Sequence, residues 1–107
     1  MWSLVEVAHA VGRDPAEVET WIVAHWVRPS RADNEWRFAE VDLARARLIC
    51  EVRYDLGVEP ETVPVVLSLM DQMYQLRRQL RDVAAALAQE SEEVRARIAG
   101  RLNIDHD

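Results

Sequence analysis

The sequence predicts a mainly α-helical protein: a winged helix-turn-helix followed by a long C-terminal coiled-coil helix. Two short amphipathic segments with marked starts are joined by a tight link containing Gly12, the pattern of a helix-turn-helix. A turn-rich stretch with alternating aromatic residues follows, as in a small half-buried hairpin. Further on, Leu69, Met73, Leu76, Leu80, Val83 and Leu87 recur at alternating spacings of four and three, the pattern that lets two helices pack knobs into holes. The predicted division is therefore a winged helix-turn-helix over residues 1–58, then a dimerisation helix and tail over 59–107.

The first helix has a capping box at its start. The Ser3 hydroxyl can accept from the Glu6 N–H while the Glu6 carboxylate reaches back to the Ser3 N–H. Trp2 and Val7 stand where a hydrophobic staple would, Leu4, Val7, Ala8 and Val11 form one apolar face, and Gly12 offers a left-handed stop. In the second helix Asp14 is the expected N-cap, Pro15 suits the first helical position and Glu17 completes a second box. Val18, Trp21, Ile22 and His25 fall on one face. His25 is read there as a semi-buried histidine rather than a ligand, and His9 has no cysteine or histidine at metal-ligand spacing.

The stretch Ser30 to Asn34 is the turn of a wing, and Glu35-Trp36-Arg37-Phe38 its strand. The aromatic side is expected to cover the two short helices; the alternative is an exposed patch for a partner. A third helix runs from Glu40 to Leu56, with Val41, Ala44, Leu48, Val52 and Leu56 as its expected inner stripe and Gly57 as its stop. Cys50 within it reads as a packing residue, not a nucleophile. Pro60 and Pro64 each suit only the first turn of the long helix, so its start lies between them. Taken from Thr62 to Gln89, that helix would be about 42 Å long. Its seam is expected to meet a partner helix; the alternative is that it folds back on the N-terminal part. After Gln89, Glu90 falls on the seam and weakens it. Ser91, Glu92 and Glu93 then cap a fresh helix with Val94, Ile98 and Leu102 as its face, fraying at Gly100 and Asn103 into a tail, Asp105 to Asp107.

Charge narrows the function. The chain has 107 residues and a formal net charge of −6, and its thirteen basic residues are all arginine. That balance opposes non-specific nucleic-acid binding and suits a basic protein partner. A single cysteine excludes an internal disulfide. With no leader and no apolar run long enough for a bilayer, a soluble cytoplasmic protein is expected. There is no Ser-His-Asp grouping, no glycine-rich phosphate loop and no carboxylate pair in an evident cleft, so no enzyme activity and no cofactor or metal are expected.

The order of helix-turn-helix, wing, helix, turn and long helix, with Trp36-Arg37-Phe38 and Arg53-Tyr54-Asp55-Leu56-Gly57-Val58, resembles the MerR-type winged-helix domain. Within it, the chain is most similar to the CbpM family of chaperone modulators, whose leucine-rich run leading to a dimer helix is matched by Val63 to Asp71. The likeness covers nearly the whole chain. Glu59 and Thr62 depart from it, standing where that family tends to carry asparagine and glycine. The resemblance implies an adaptor without a cofactor. Such proteins bind, as homodimers, the J-domain of a DnaJ-like co-chaperone (CbpA), block its access to the Hsp70 chaperone and reduce its binding to DNA. J-domains in that setting present a basic helix, so Glu17 and Glu19 on the second helix, with Asp33 and Glu35 on the wing, are the candidate partner-binding residues. Leu69, Met73, Leu76, Leu80, Val83 and Leu87 are the candidate dimer interface.

The rival is a MerR-type DNA-binding transcriptional regulator. It needs arginines on the recognition helix, yet residues 14–25 carry Asp14, Glu17 and Glu19 and no arginine. Arg28, Arg31 and Arg37 on the wing remain available for phosphates. A metal- or drug-sensing regulator would also need ligands beyond the dimer helix, and with one cysteine and an end at Asp107 no effector domain is expected.

Overall fold

The structure is a computed structural model and describes residues 1–102. Its order is α1 (Leu4–Val11), α2 (Pro15–Val23), β1 (Ser30–Ala32), β2 (Glu35–Arg37), α3 (Glu40–Cys50), α4 (Val63–Ala88) and α5 (Glu92–Leu102), with a π-helical turn, Glu51–Asp55, continuing α3. This is a winged helix-turn-helix followed by a long helix. The chain forms two compact units, Met1–Leu69 and Met70–Asp107. No described helix is long and apolar enough to cross a membrane.

Local chemistry sets the start of the first unit. The Ser3 and Glu6 box closes in both directions, at 2.9 and 3.1 Å. Those bonds hold the Glu6 carboxyl below its ordinary pKa. At the far end of α1, Gly12 has φ 71°, and the N–H groups of Gly12 and Arg13 donate to the His9 and Ala8 carbonyls, a Schellman stop. A Cβ added at Gly12 would meet nothing within 4 Å. The cost of Gly12→Ala is therefore conformational. It is expected to be about 1 kcal/mol, read as a lower denaturation midpoint with an unchanged slope.

In α2 the second box does not form. Asp14 makes no side-chain cap, and the Glu17 carboxylate turns to Arg13 instead. His25 also departs from the expected apolar face. The helix ends at Val23, and His25 sits at φ 63° in the left-handed region, exposed, with its N–H on the Ile22 carbonyl. A residue that reverses the chain there cannot continue the stripe, so Val18, Trp21 and Ile22 alone are buried.

The wing is a tight hairpin. Ser30 pairs with Arg37, Arg31 with Trp36 and Ala32 with Glu35. Asp33 and Asn34 both take positive φ, 52° and 62°, which matches the right-handed twist of a two-residue hairpin. The next residue, Phe38, pairs its backbone with Trp2 in both directions, at 2.9 and 2.8 Å, so the N-terminus lies against the end of the wing. Phe38 is fully buried, whereas Trp36 is half-buried under the Arg31 guanidinium, 4.6 Å from its ring centroid.

The α3 stripe differs from the expected one. Leu43, Ala46, Ile49 and Val52 are buried, while Ala44, Val41 (73% exposed) and Leu56 (70%) are not and Leu48 is half-buried. The sequence offers two rows of similar apolarity here, and packing of α1 on α3 selects the second. Val52 belongs to both rows. Leu56 lies past the π-helical turn, where the chain stops at Gly57 (φ 70°) with the Val58 N–H on the Val52 carbonyl. Together with Val7, Val18, Val27, Phe38, Val63 and Leu67, these side chains make one apolar core, and no described polar or charged residue is buried.

The long helix starts at Val63, with Pro64 in its first turn and the N–H groups of Thr62 and Val63 on the Glu59 carbonyl. It ends at Ala88, within a residue of the expected limits at each end, and measures about 39 Å. Its first turns supply Val63 and Leu67 to the core. In the second unit, Ser91 Oγ accepts from the Val94 N–H at 3.3 Å and opens α5, on which Val94 and Ile98 are half-buried and Leu102 exposed. Helix continues through Gly100; the expected fraying at Asn103 and the tail lie outside the described residues.

Candidate interaction surfaces

Helix α2 follows the tight turn and therefore presents one side to the core and the other to solvent. Its solvent side carries Ala16, Glu19, Thr20 and Val23, with Ala24 at the cap. These form a continuous solvent-facing patch. Thr20 Oγ1 already donates to the Glu17 carbonyl, so its hydroxyl is satisfied within the helix. No cation lies on this helix, and the one just before it is engaged.

That cation is Arg13. Its Nε and Nη2 donate to the two Glu17 oxygens at 2.7 and 3.1 Å, and its guanidinium lies 3.6 Å over the Tyr54 ring. The Glu17 contact raises the Arg13 pKa above its ordinary value. Arg53 approaches the same ring at 5.4 Å and donates to the Val58 carbonyl. Arg13 thus ties the helix-turn-helix link to the π-helical turn. The i,i+4 spacing of Arg13 and Glu17 was a visible signal for the ion pair; nothing in the sequence pointed to Tyr54. Burial raises the Cys50 thiol above its ordinary pKa, against the opposing charge of Arg13, which suits packing and not nucleophilic attack.

The four candidate carboxylates have unequal settings. Glu17 is spent on Arg13, with its side chain 27% exposed. Glu19 is exposed on the solvent side of α2, and Asp33 and Glu35 are exposed on the hairpin, at its turn and in β2. Among the wing arginines, Arg28 and Arg31 are exposed and Arg37 is half-buried. The Arg31 side chain lies on Trp36 and donates to the Asn34 carbonyl at 3.2 Å. Arg45 Nε donates to the Trp26 carbonyl at 2.9 Å.

A second surface is the seam of α4. Leu69, Met73, Leu76, Leu80 and Val83 are 40–68% exposed, and Leu87 is half-buried. The row is apolar and exposed along the helix from Leu69 to Val83. Among the described residues, no group of three His, Cys, Asp or Glu side chains is placed to hold a metal ion.

Comparison with curated proteins and with solved structures gives no match. Residues 3–84, from the first cap through most of the long helix, match the model of the MerR HTH family regulatory protein, and the chain belongs to that family.

Proposed function

We propose that this chain is a non-enzymatic, cytoplasmic chaperone modulator of the CbpM kind, a homodimer that holds the J-domain of a DnaJ-like co-chaperone and inhibits its co-chaperone activity. The observation that carries this reading is the solvent side of α2. In a DNA reader that face needs cations for phosphates and base edges. Here it bears Glu19 and small apolar side chains, and Arg13 is neutralised by Glu17. Glu19, Asp33 and Glu35 are the proposed contacts to a basic helix, and Glu17 contributes by holding Arg13 away from it. The α4 seam is the proposed dimer interface.

Calorimetric titration with an isolated J-domain tests it. Glu19→Arg combined with Glu35→Arg is expected to weaken binding about tenfold at low salt, with the gap narrowing as salt screens the charges. Equal affinity of the folded double variant and the wild type at both salts would make these carboxylates bystanders.

A second reading, a MerR-type DNA-binding transcriptional regulator, is favoured by the family match and by exposed Arg28 and Arg31 on the wing. Mobility shifts against genomic fragments at about 150 mM salt separate the two, because binding through phosphates falls steeply with salt. Nanomolar sequence-specific binding there establishes the regulator.

A further inference from the structure

We propose that the outer face of α4, carrying Tyr74, Arg77, Arg78 and Arg81, binds a short acidic segment of a partner protein. This surface is separate from the carboxylates of Met1–Leu69 and from the seam that the adaptor reading uses, so it stands whether or not that reading holds.

Position and charge come first. At about 100° per residue, the four side chains fall on a face of α4 centred about 130° from the seam. A helix seated on Leu69 to Leu87 therefore leaves most of this face in solvent. The three arginines are exposed, and Tyr74 is 49% exposed. Their charge runs against that of the chain. Residues 1–69 hold twelve carboxylates against seven arginines, yet residues 72–81 hold three arginines and no carboxylate. Arg77 and Arg81 stand at i, i+4 and Arg78 and Arg81 at i, i+3, two like-charge pairs that weaken a helix standing alone. Among the described residues, none of the three side chains makes a hydrogen bond or an ion pair, although Asp82 lies four residues beyond Arg78. On α5, by contrast, Arg97 pairs with Glu93 at 3.5 Å. Three uncompensated guanidiniums within about one exposed turn suit an anion from outside the chain.

Chemistry and extent then identify that anion. A guanidinium fork meets a carboxylate through two parallel hydrogen bonds. An exposed tyrosine among arginines is the composition of a protein-binding surface, where those two residue types carry much of the energy. From Tyr74 to Arg81 the patch runs about 10 Å along the axis, room for about two or three carboxylates. Asp71 and Asp82 flank it in the sequence, and Glu90 follows. A duplex lying along α4 presents one charge per about 1.7 Å of its axis and meets those carboxylates as well as the arginines. A short acidic segment meets the arginines alone.

The test removes the charge without touching the core. Arg77→Gln, Arg78→Gln and Arg81→Gln are made together; all three positions are exposed and glutamine sustains a helix, with circular dichroism and sedimentation checking fold and assembly. The full-length chain is titrated with a short glutamate-rich synthetic peptide and, separately, with a mixed-sequence DNA duplex, at low salt and at about 150 mM. The triple variant is expected to bind the peptide about tenfold or more weakly than wild type at low salt. Arg95→Gln with Arg101→Gln removes charge from α5 instead and is expected to leave peptide affinity within about twofold of wild type. A folded triple variant that matches wild type overturns the proposal, as does a wild type that does not bind the peptide. A loss from the α5 pair as large as that from the α4 triple overturns it too, because the attraction is then general. Binding of the duplex through the same arginines, without binding of the peptide, assigns the face to nucleic acid and overturns the acidic segment.

Discussion

Replacing Leu76 and Leu80 together by aspartate is expected to convert a dimer into a folded monomer. Both side chains are exposed in the single chain, at 60% and 68%, so the change costs the monomer's fold little. In a paired seam the same positions are buried. Each leucine contributes about 2 kcal/mol by leaving water, and each unpaired carboxylate forced into the seam costs several more. Two copies double every term, and about 1.4 kcal/mol is a factor of ten in affinity. Dissociation by several orders of magnitude follows, visible as a halved mass in sedimentation equilibrium. The core of Met1–Leu69 should keep its near-ultraviolet circular dichroism, because no seam residue belongs to it. A wild-type chain that sediments as a monomer at tens of micromolar would remove the proposed interface.

Phe38→Ala is expected to destabilise the first unit by about 3–5 kcal/mol, a large share of the 5–15 kcal/mol typical of a whole domain. Phe38 is 0% exposed, and its truncation leaves a cavity in the core that Val18, Ile49, Val52 and Leu67 help to fill. Trp36→Ala is the comparison. That ring is half-buried and lies under Arg31 on the wing, so its loss is expected to cost about 1 kcal/mol. Denaturant midpoints of the two variants measure the contrast. A large loss at Phe38 beside a small one at Trp36 is expected, because only the first ring is fully buried.

Much of the fold was legible wherever a few neighbouring residues decide the outcome. The Ser3 and Glu6 box, the stop at Gly12, Pro15 at the first position of α2, and Ser91 at the start of α5 each depend on groups within one turn of each other. The long helix was equally plain, because a seam repeated over six positions outweighs any single residue. What failed was phase and competition. Glu17 had two partners within reach, the cap and Arg13, and the charged one won because a doubly hydrogen-bonded ion pair is stronger than a box that needs an exposed N–H. His25 continued a helical pattern on paper, yet the chain reverses there.

The residues themselves determined the limits of α1 and of the long helix, the wing and the exposed heptad seam, since capping, turn chemistry and hydrophobic periodicity act over short distances. They also determined the acidic, arginine-free character of α2, since charge is a property of the side chains and not of their arrangement. The tertiary structure alone decided which row of α3 faces inward, because Val41-Ala44-Leu48 and Leu43-Ala46-Ile49 are nearly equal in apolarity until α1 packs on one of them. It alone joined Trp2 to Phe38 and Arg13 to Tyr54, residues 36 and 41 positions apart. It alone turned Ala16, Glu19, Thr20 and Val23 to solvent, because Val18, Trp21 and Ile22 on the opposite side of the same helix are buried in the core.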